Sequence, residues 1–255
     1  MAIDPFLSNN RSMLLAYDQG LEHGPTDLNQ QNSDPAFIMK LAEEGRFNGI
    51  VFQKGIAEKY YNGKVPLILK VNGKTQLPKG EPIARQNCSV NRAAELGAKA
   101  VGYTIYLGSE HEDAMLEEFG RIQEEARAHS LAAIAWIYPR GAAIKNDIAP
   151  DIVAYAARAG LELGADAVKI KYTGDVETFK WAVKCAGKTK VFMSGGPKAP
   201  LEIDFLKQVR GALDAGATGL AVGRNVWQSA DPTKMARTLR RLIIEDRSVE
   251  DAVKD

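Results

Sequence analysis

The chain is poor in the residues that would tie it to disulfides, metals or membranes. Only two cysteines occur among 255 residues, Cys88 and Cys185. They are far apart and lack metal-ligand spacing, which argues against a disulfide framework and suits a reducing compartment. There are three histidines. His111 and His129 fall in one helical segment, leaving only His23 near a candidate site, whereas zinc catalysis takes two or three histidines. No metal site is therefore expected. No apolar run approaches the roughly 18 residues a membrane span needs. The opening Met1 to Phe6 has no basic stretch followed by an apolar core, so a soluble, cytoplasmic protein without a membrane partner is expected. Charge of one sign is also missing. The 33 basic and 32 acidic residues nearly cancel, which offers no general argument for a nucleic-acid partner and makes any anion site local.

What is present is a rhythm of short β-rich runs. Eight are predicted: Ser12 to Asp18, Gly49 to Gly55, Pro66 to Val71, Ala100 to Leu107, Ala132 to Tyr138, Ala167 to Thr173, Lys190 to Gly195 and Gly219 to Gly223. Helical periodicity fills most gaps, at Asp34 to Glu44, Ser89 to Leu96, Glu110 to His129, Pro150 to Leu163, Val176 to Ala186 and Leu201 to Ala215. Asp231 to Val253 reads as a closing helix. The connection Ile56 to Val65, rich in Tyr and Gly, reads as a hairpin or lid in place of a full helix. Leu96-Gly97-Ala98, Leu163-Gly164-Ala165 and Ala215-Gly216-Ala217 each precede a strand, and their glycines suit the left-handed position that ends a helix. Such alternation predicts an α/β fold, a single closed (β/α)8 TIM barrel spanning 1–255 as one domain. The rival, an open doubly wound sheet, lacks its Gly-x-Gly-x-x-Gly loop after the first strand.

In such barrels chemistry gathers where strands end. The sixth run, Val168-Lys169-Ile170-Lys171, alternates lysines with apolar residues, so both ammonium groups project from one face. Neighbouring like charges make one lysine easier to deprotonate, and a neutral amine in a pocket attacks carbonyls. A solvated edge strand is the plain alternative, and it fits an interior barrel strand poorly. Trp136 and Tyr138 share an inward face of the fifth strand, as core filling or as a mouth-facing phenol. Asp18 ends the first strand, as a loop cap or as an acid facing the lysines. Ser194-Gly195-Gly196 and Gly223-Arg224 follow the last two strands; their glycines let backbone N–H groups approach a phosphate, and Arg224 supplies a bidentate donor. A short helix can start at Asn225. Lys54, Lys70 and Lys74 either add positive potential for a second anion or sit in salt bridges.

These motifs carry a resemblance. Ala-Tyr-Asp-Gln-Gly-Leu-Glu-His-Gly-Pro from Ala16, Val-Phe-Gln-Lys-Gly-Ile-Ala-Glu-Lys-Tyr-Tyr from Val51, Val-Gly-Tyr-Thr-Ile-Tyr from Val101, Lys-Ile-Lys-Tyr-Thr-Gly from Lys169, Met-Ser-Gly-Gly-Pro-Lys from Met193 and Ala-Val-Gly-Arg-Asn-Val-Trp-Gln from Ala221 resemble archaeal-type class I fructose-1,6-bisphosphate aldolases. The resemblance implies Lys169 as the Schiff-base lysine and Tyr138 as proton donor; Asp18, at a position that contacts substrate in the family, is taken as the third catalytic group. It implies substrate contacts at Gln19, His23, Trp136 and Arg140, with phosphate bound at Ser194, Gly195, Gly196, Gly223 and Arg224; Lys171, beside the Schiff-base lysine, is expected to bind substrate too. It further implies a phosphorylated sugar substrate, no cofactor, a homo-oligomer and a place in glycolysis or gluconeogenesis. Gln19 departs from the family pattern, which has histidine after the aspartate, and only histidine titrates near neutrality. Two other readings stay open: a Schiff-base lyase or transferase on another ketose phosphate, such as an aminodideoxyheptulosonate synthase, and a noncatalytic sugar-phosphate-binding barrel.

Overall fold

The computed structural model describes residues 2–24 and 27–254; the resemblance motif's Pro25 and the ends of the expected domain, Met1 and Asp255, lie outside them. Eight parallel strands close on themselves in chain order: β1 (Ser12–Ala16), β2 (Gly49–Gln53), β3 (Leu67–Lys70), β4 (Ala100–Leu107), β5 (Ala132–Pro139), β6 (Ala167–Ile170), β7 (Lys190–Ser194) and β8 (Gly219–Val222). Closure is made by β8 against β1, with Ser12 opposite Gly219 and Leu15 opposite Val222. This is the expected TIM barrel. Nearly every strand residue is buried, as a parallel sheet covered by helices requires.

The helices are α1 (Gln19–His23), α2 (Pro35–Glu44), α3 (Lys54–Tyr60), α4 (Val90–Glu95), α5 (Glu112–Ala128), α6 (Pro150–Glu162), α7 (Val176–Cys185), α8 (Glu202–Asp214), α9 (Arg224–Trp227), α10 (Pro232–Ile243) and α11 (Val249–Ala252). Several start on side-chain caps. Ser89, Asp175 and Asp231 accept from the backbone N–H groups of Arg92, Thr178 and Lys234 at 3.1, 2.9 and 2.8 Å. The helix-ending glycines 97, 164 and 216 take φ of 76°, 78° and 98°, the left-handed region anticipated for them.

Three expectations need correction. The connection after β2 begins with the helix α3 instead of a hairpin, since Ala57, Glu58 and Lys59 favour a helix, which stops at Tyr60 with Tyr61 already extended. The closing helix breaks between Ile243 and Val249, where Asp246 takes φ 54° and Ser248 caps a new helix through Asp251 N–H. Strand β6 ends at Ile170, so Lys171 already belongs to the following loop. A two-residue antiparallel ladder, Asn72–Gly73 with Arg85–Gln86, also folds the loop after β3 back over the barrel end.

Candidate active site

The C-terminal ends of the strands open into one pocket. It is lined by Asp18, Gln19, Glu22 and His23 from the first strand end and α1, and by Trp136, Tyr138 and Arg140 from β5. Lys169 and Lys171 come from β6 and its loop, Ser194 to Pro197 from the end of β7, and Ala221, Gly223 and Arg224 from β8 and α9. Every catalytic and substrate-contact residue expected from the sequence therefore reaches the same cavity, and Glu22, Pro197 and Ala221 join them.

Lys169 sits at the floor. It is 3% exposed and makes no hydrogen bond or ion pair among the described residues; its ammonium lies 5.3 Å from the centroid of the Trp136 ring. Trp136 is opposite Lys169 in the β5–β6 ladder. Its indole has room because position 102 on β4 is glycine: a Cβ there would lie 2.2 Å from the ring. Lys70, fully buried at the end of β3, lies 6.0 Å from the same ring centroid, so two ammonium groups flank one indole. Unlike Lys169, Lys70 is held, by Glu22 Oε1 at 3.4 Å and the Asn72 carbonyl at 3.0 Å. The salt-bridged alternative thus applies to Lys70. Lys74 is over the Tyr106 ring at 5.9 Å, and Lys54 meets the Asn87 carbonyl.

Lys171 faces the pocket but is ion-paired with Asp147 on the β5–α6 loop. That pairing gives Lys171 a counter-charge that its place beside Lys169 in the sequence did not reveal. Tyr138 is 8% exposed, its hydroxyl 3.4 Å from Ser194 Oγ, and the Arg140 guanidinium stacks 5.0 Å from its ring centroid. Beside it, Tyr106 is fully buried, and burial followed by the charge of Glu22 pushes its phenol well above the ordinary range. Asp18 precedes α1 without capping it, and its Oδ1 is buried with no partner. The loop-cap reading of Asp18 fails, leaving its carboxylate for the pocket.

The loops expected to bind phosphate are tied to one another. Asn225 donates to the carbonyls of Gly195 and Pro197 at 2.7 and 2.8 Å and accepts from Ala199 N–H at 2.8 Å, tying the β7 loop to the start of α9. The short helix starts at Arg224, one residue earlier than expected. A Cβ at Gly223 would lie 2.7 Å from the Ala16 carbonyl oxygen, so only glycine lets β8 pass this close to β1. Arg224 stands 3.6 Å from Asp27, with its Nε buried and unpartnered. His23 Nδ1 lies 3.1 Å from Gln76 Nε2. Burial first, and Arg224 second, lower its pKa below the usual imidazole value.

A family model described as DeoC/LacD family aldolase matches residues 12–229. The chain belongs to the DeoC/LacD family of aldolases. Within that family it is 59% identical to the class 1 fructose-bisphosphate aldolase of Thermoproteus tenax, over 93% of this chain and 91% of the relative. It is 38% identical to the fructose-bisphosphate aldolase/6-deoxy-5-ketofructose 1-phosphate synthase of Methanocaldococcus jannaschii, over 95% and 84%. Among solved structures, it matches an archaeal fructose-1,6-bisphosphate aldolase whose catalytic Lys is covalently bound to the carbinolamine intermediate of the substrate. The TM-score is 0.93 at 56% identity, covering 95% of this chain and 98% of that one.

Sequence reasoning missed the partners of the pocket lysines. Glu22 lies one helical turn after Asp18, so both carboxylates share a face once Gln19–His23 is seen to be helical. That periodicity was available but hidden by the glycines at 20 and 24. Asp147 sits in a loop with no local pattern linking it to Lys171.

Proposed function

We propose that the protein is a class I, Schiff-base fructose-bisphosphate aldolase, reversibly cleaving fructose 1,6-bisphosphate to dihydroxyacetone phosphate and glyceraldehyde 3-phosphate. The observation that carries this is Lys169: a buried amine with no partner among the described residues, at the mouth end of a barrel strand, beside a phenol and glycine-rich anion loops. The amine attacks the C2 ketone, the carbinolamine loses water, and the resulting iminium is the electron sink for breaking C3–C4. Glyceraldehyde 3-phosphate leaves. Tyr138 then protonates the enamine at C3, and water releases dihydroxyacetone phosphate. Asp18 supports the carbinolamine and iminium steps. Ser194, Gly195, Gly196, Gly223 and Arg224 hold one phosphate so that C2 meets the amine, while Gln19, His23, Trp136, Arg140 and Lys171 contact the rest of the substrate. The chain acts as one barrel domain within a cytoplasmic homo-oligomer, in glycolysis or gluconeogenesis.

The test is borohydride reduction during turnover of fructose 1,6-bisphosphate, followed by peptide mass mapping. The adduct is expected on Lys169. An adduct confined to Lys171, or none in an active enzyme, overturns the assignment. Activity abolished by EDTA and restored by zinc would instead indicate metal-dependent chemistry.

A further inference from the structure

The mechanism above leaves one proton without an acceptor. When C3–C4 breaks, the C4 hydroxyl must lose its proton as C4 becomes the aldehyde of glyceraldehyde 3-phosphate. Tyr138 is engaged at C3 and Asp18 at the C2 carbinolamine. One further carboxylate lines the pocket: Glu22.

We infer that Glu22 is the base that accepts the C4 hydroxyl proton. Glu22 and Asp18 are four residues apart across the single turn α1, which aims both carboxylates at the cavity. Their surroundings differ. Asp18 has no hydrogen-bond or ion-pair partner among the described residues, whereas Glu22 Oε1 is held by buried Lys70 and its Oε2 is unbonded among them. Lys70 takes a further hydrogen-bond acceptor in the Asn72 carbonyl, so it stays fixed behind Glu22 and balances its charge. Such a carboxylate is oriented by one oxygen and available through the other, the arrangement a general base needs. In the step, the C4 O–H proton passes to Glu22 Oε2 and the O–H pair becomes the C4 carbonyl π bond. The C3–C4 pair moves into the enamine as the iminium nitrogen takes up its electrons. In the condensing direction, Glu22 returns the proton to the new C4 oxygen.

The assignment rests on Lys169 and Tyr138 acting as proposed, and the test separates the two. Proton exchange at C3 of dihydroxyacetone phosphate needs only the amine and the phenol; cleavage of fructose 1,6-bisphosphate also needs the C4 base. Glu22→Gln is expected to slow cleavage by about 100-fold or more, the usual size of a lost general base, while C3 exchange stays within a few-fold of wild type. Reduction with borohydride should then trap the six-carbon adduct on Lys169 in place of the three-carbon one. Normal cleavage, or equal losses of cleavage and exchange, overturns the inference. If Glu22→Gln leaves Lys70 buried without its carboxylate and the protein unfolds, the double variant Glu22→Gln, Lys70→Met removes both charges. Slow cleavage with retained exchange in that variant supports the base, and normal cleavage or equal losses overturn it. A wild-type enzyme that forms no Lys169 adduct would defeat the underlying mechanism instead.

Discussion

Replacing either of the two lysines that flank Trp136 by methionine should move stability in opposite directions. Lys169 is 3% exposed, without a hydrogen bond or ion pair among the described residues, and the indole is the one group seen to compensate it. An unsatisfied buried polar group costs about 1–3 kcal/mol or more when charged, against about 0.5–2 kcal/mol returned by the cation–π contact. Lys169→Met keeps the stem and removes the polar head, so a net gain of about 1–2 kcal/mol is expected, or about 2–8 °C in Tm for a chain of this size. Lys70 is just as buried but holds Glu22 and the Asn72 carbonyl. Lys70→Met strands the Glu22 carboxylate and should cost about 3–5 kcal/mol. Thermal and urea denaturation followed by far-UV circular dichroism gives both values, with turnover abolished in Lys169→Met. A Lys169→Met protein less stable than wild type would mean that the amine is held by favourable contacts, and the picture of an unpartnered nucleophile kept at a cost in stability would be wrong.

Tyr138→Phe keeps the buried ring and loses only a 3.4 Å contact to Ser194. Its unfolding midpoint should stay near wild type while kcat falls by about 100-fold or more and the Lys169 adduct still forms; normal turnover would remove Tyr138 from the proton transfer. Arg224→Ala should weaken phosphorylated substrates by about 1.5–3 kcal/mol, with little effect on an unphosphorylated analogue. Equal losses for both, measured as kcat/KM, would place Arg224 in support of the fold. His23 has a folded pKa below its unfolded value, so the unfolded chain takes up its proton first as the medium is acidified. Stability should therefore decline as pH falls through about 6.5 towards the lower folded pKa, and His23→Gln should flatten that part of the profile; identical pH curves for the two proteins would contradict the sign.

The strands were legible because burial on both faces leaves runs of Val, Ile, Leu and Ala, which is why β4, Ala100–Leu107, begins and ends where the pattern does. The errors fall where local pattern competes with a tertiary demand. Lys169 and Lys171 alternate as in one strand, yet the chain leaves the ladder after Ile170, and Lys171 finds Asp147 across the mouth. The closing segment keeps helical composition through Glu245-Asp246-Arg247, but Asp246 turns left-handed and accepts from Arg210 at 2.8 Å, docking the bend on α8. The pocket residues were legible as a set because barrel geometry converts strand ends into neighbours. Their pairings were not, because Glu22 with Lys70 is set by how α1 folds back over β3.

The distribution of unpaired polar atoms gives an independent reason to place function at this end of the barrel. Among the described residues, buried side-chain atoms without partners include Asp18 Oδ1, Gln19 Oε1, Trp136 Nε1 and Arg224 Nε, all on residues that line the pocket, with Tyr106 OH behind Tyr138. The hydroxyls of Ser12 and Thr104 and Oδ2 of Asp27, beside Arg224, are without hydrogen bonds too, whereas other groups of the barrel wall find partners. Tyr103 donates to Glu118 at 2.6 Å, and Asn72 bonds both the carbonyl and the N–H of Thr104. A fold that satisfies such groups in the wall, yet leaves a carboxylate oxygen, an amide oxygen, an indole N–H and a guanidinium Nε unpaired around one amine, carries hydrogen-bonding capacity that its own chain does not use. Its mixture of donors and acceptors fits a ligand bearing hydroxyls, a carbonyl and an anion better than an apolar one. That is the chemistry of a phosphorylated ketose, and it follows from the unpaired atoms without reference to the reactivity of Lys169.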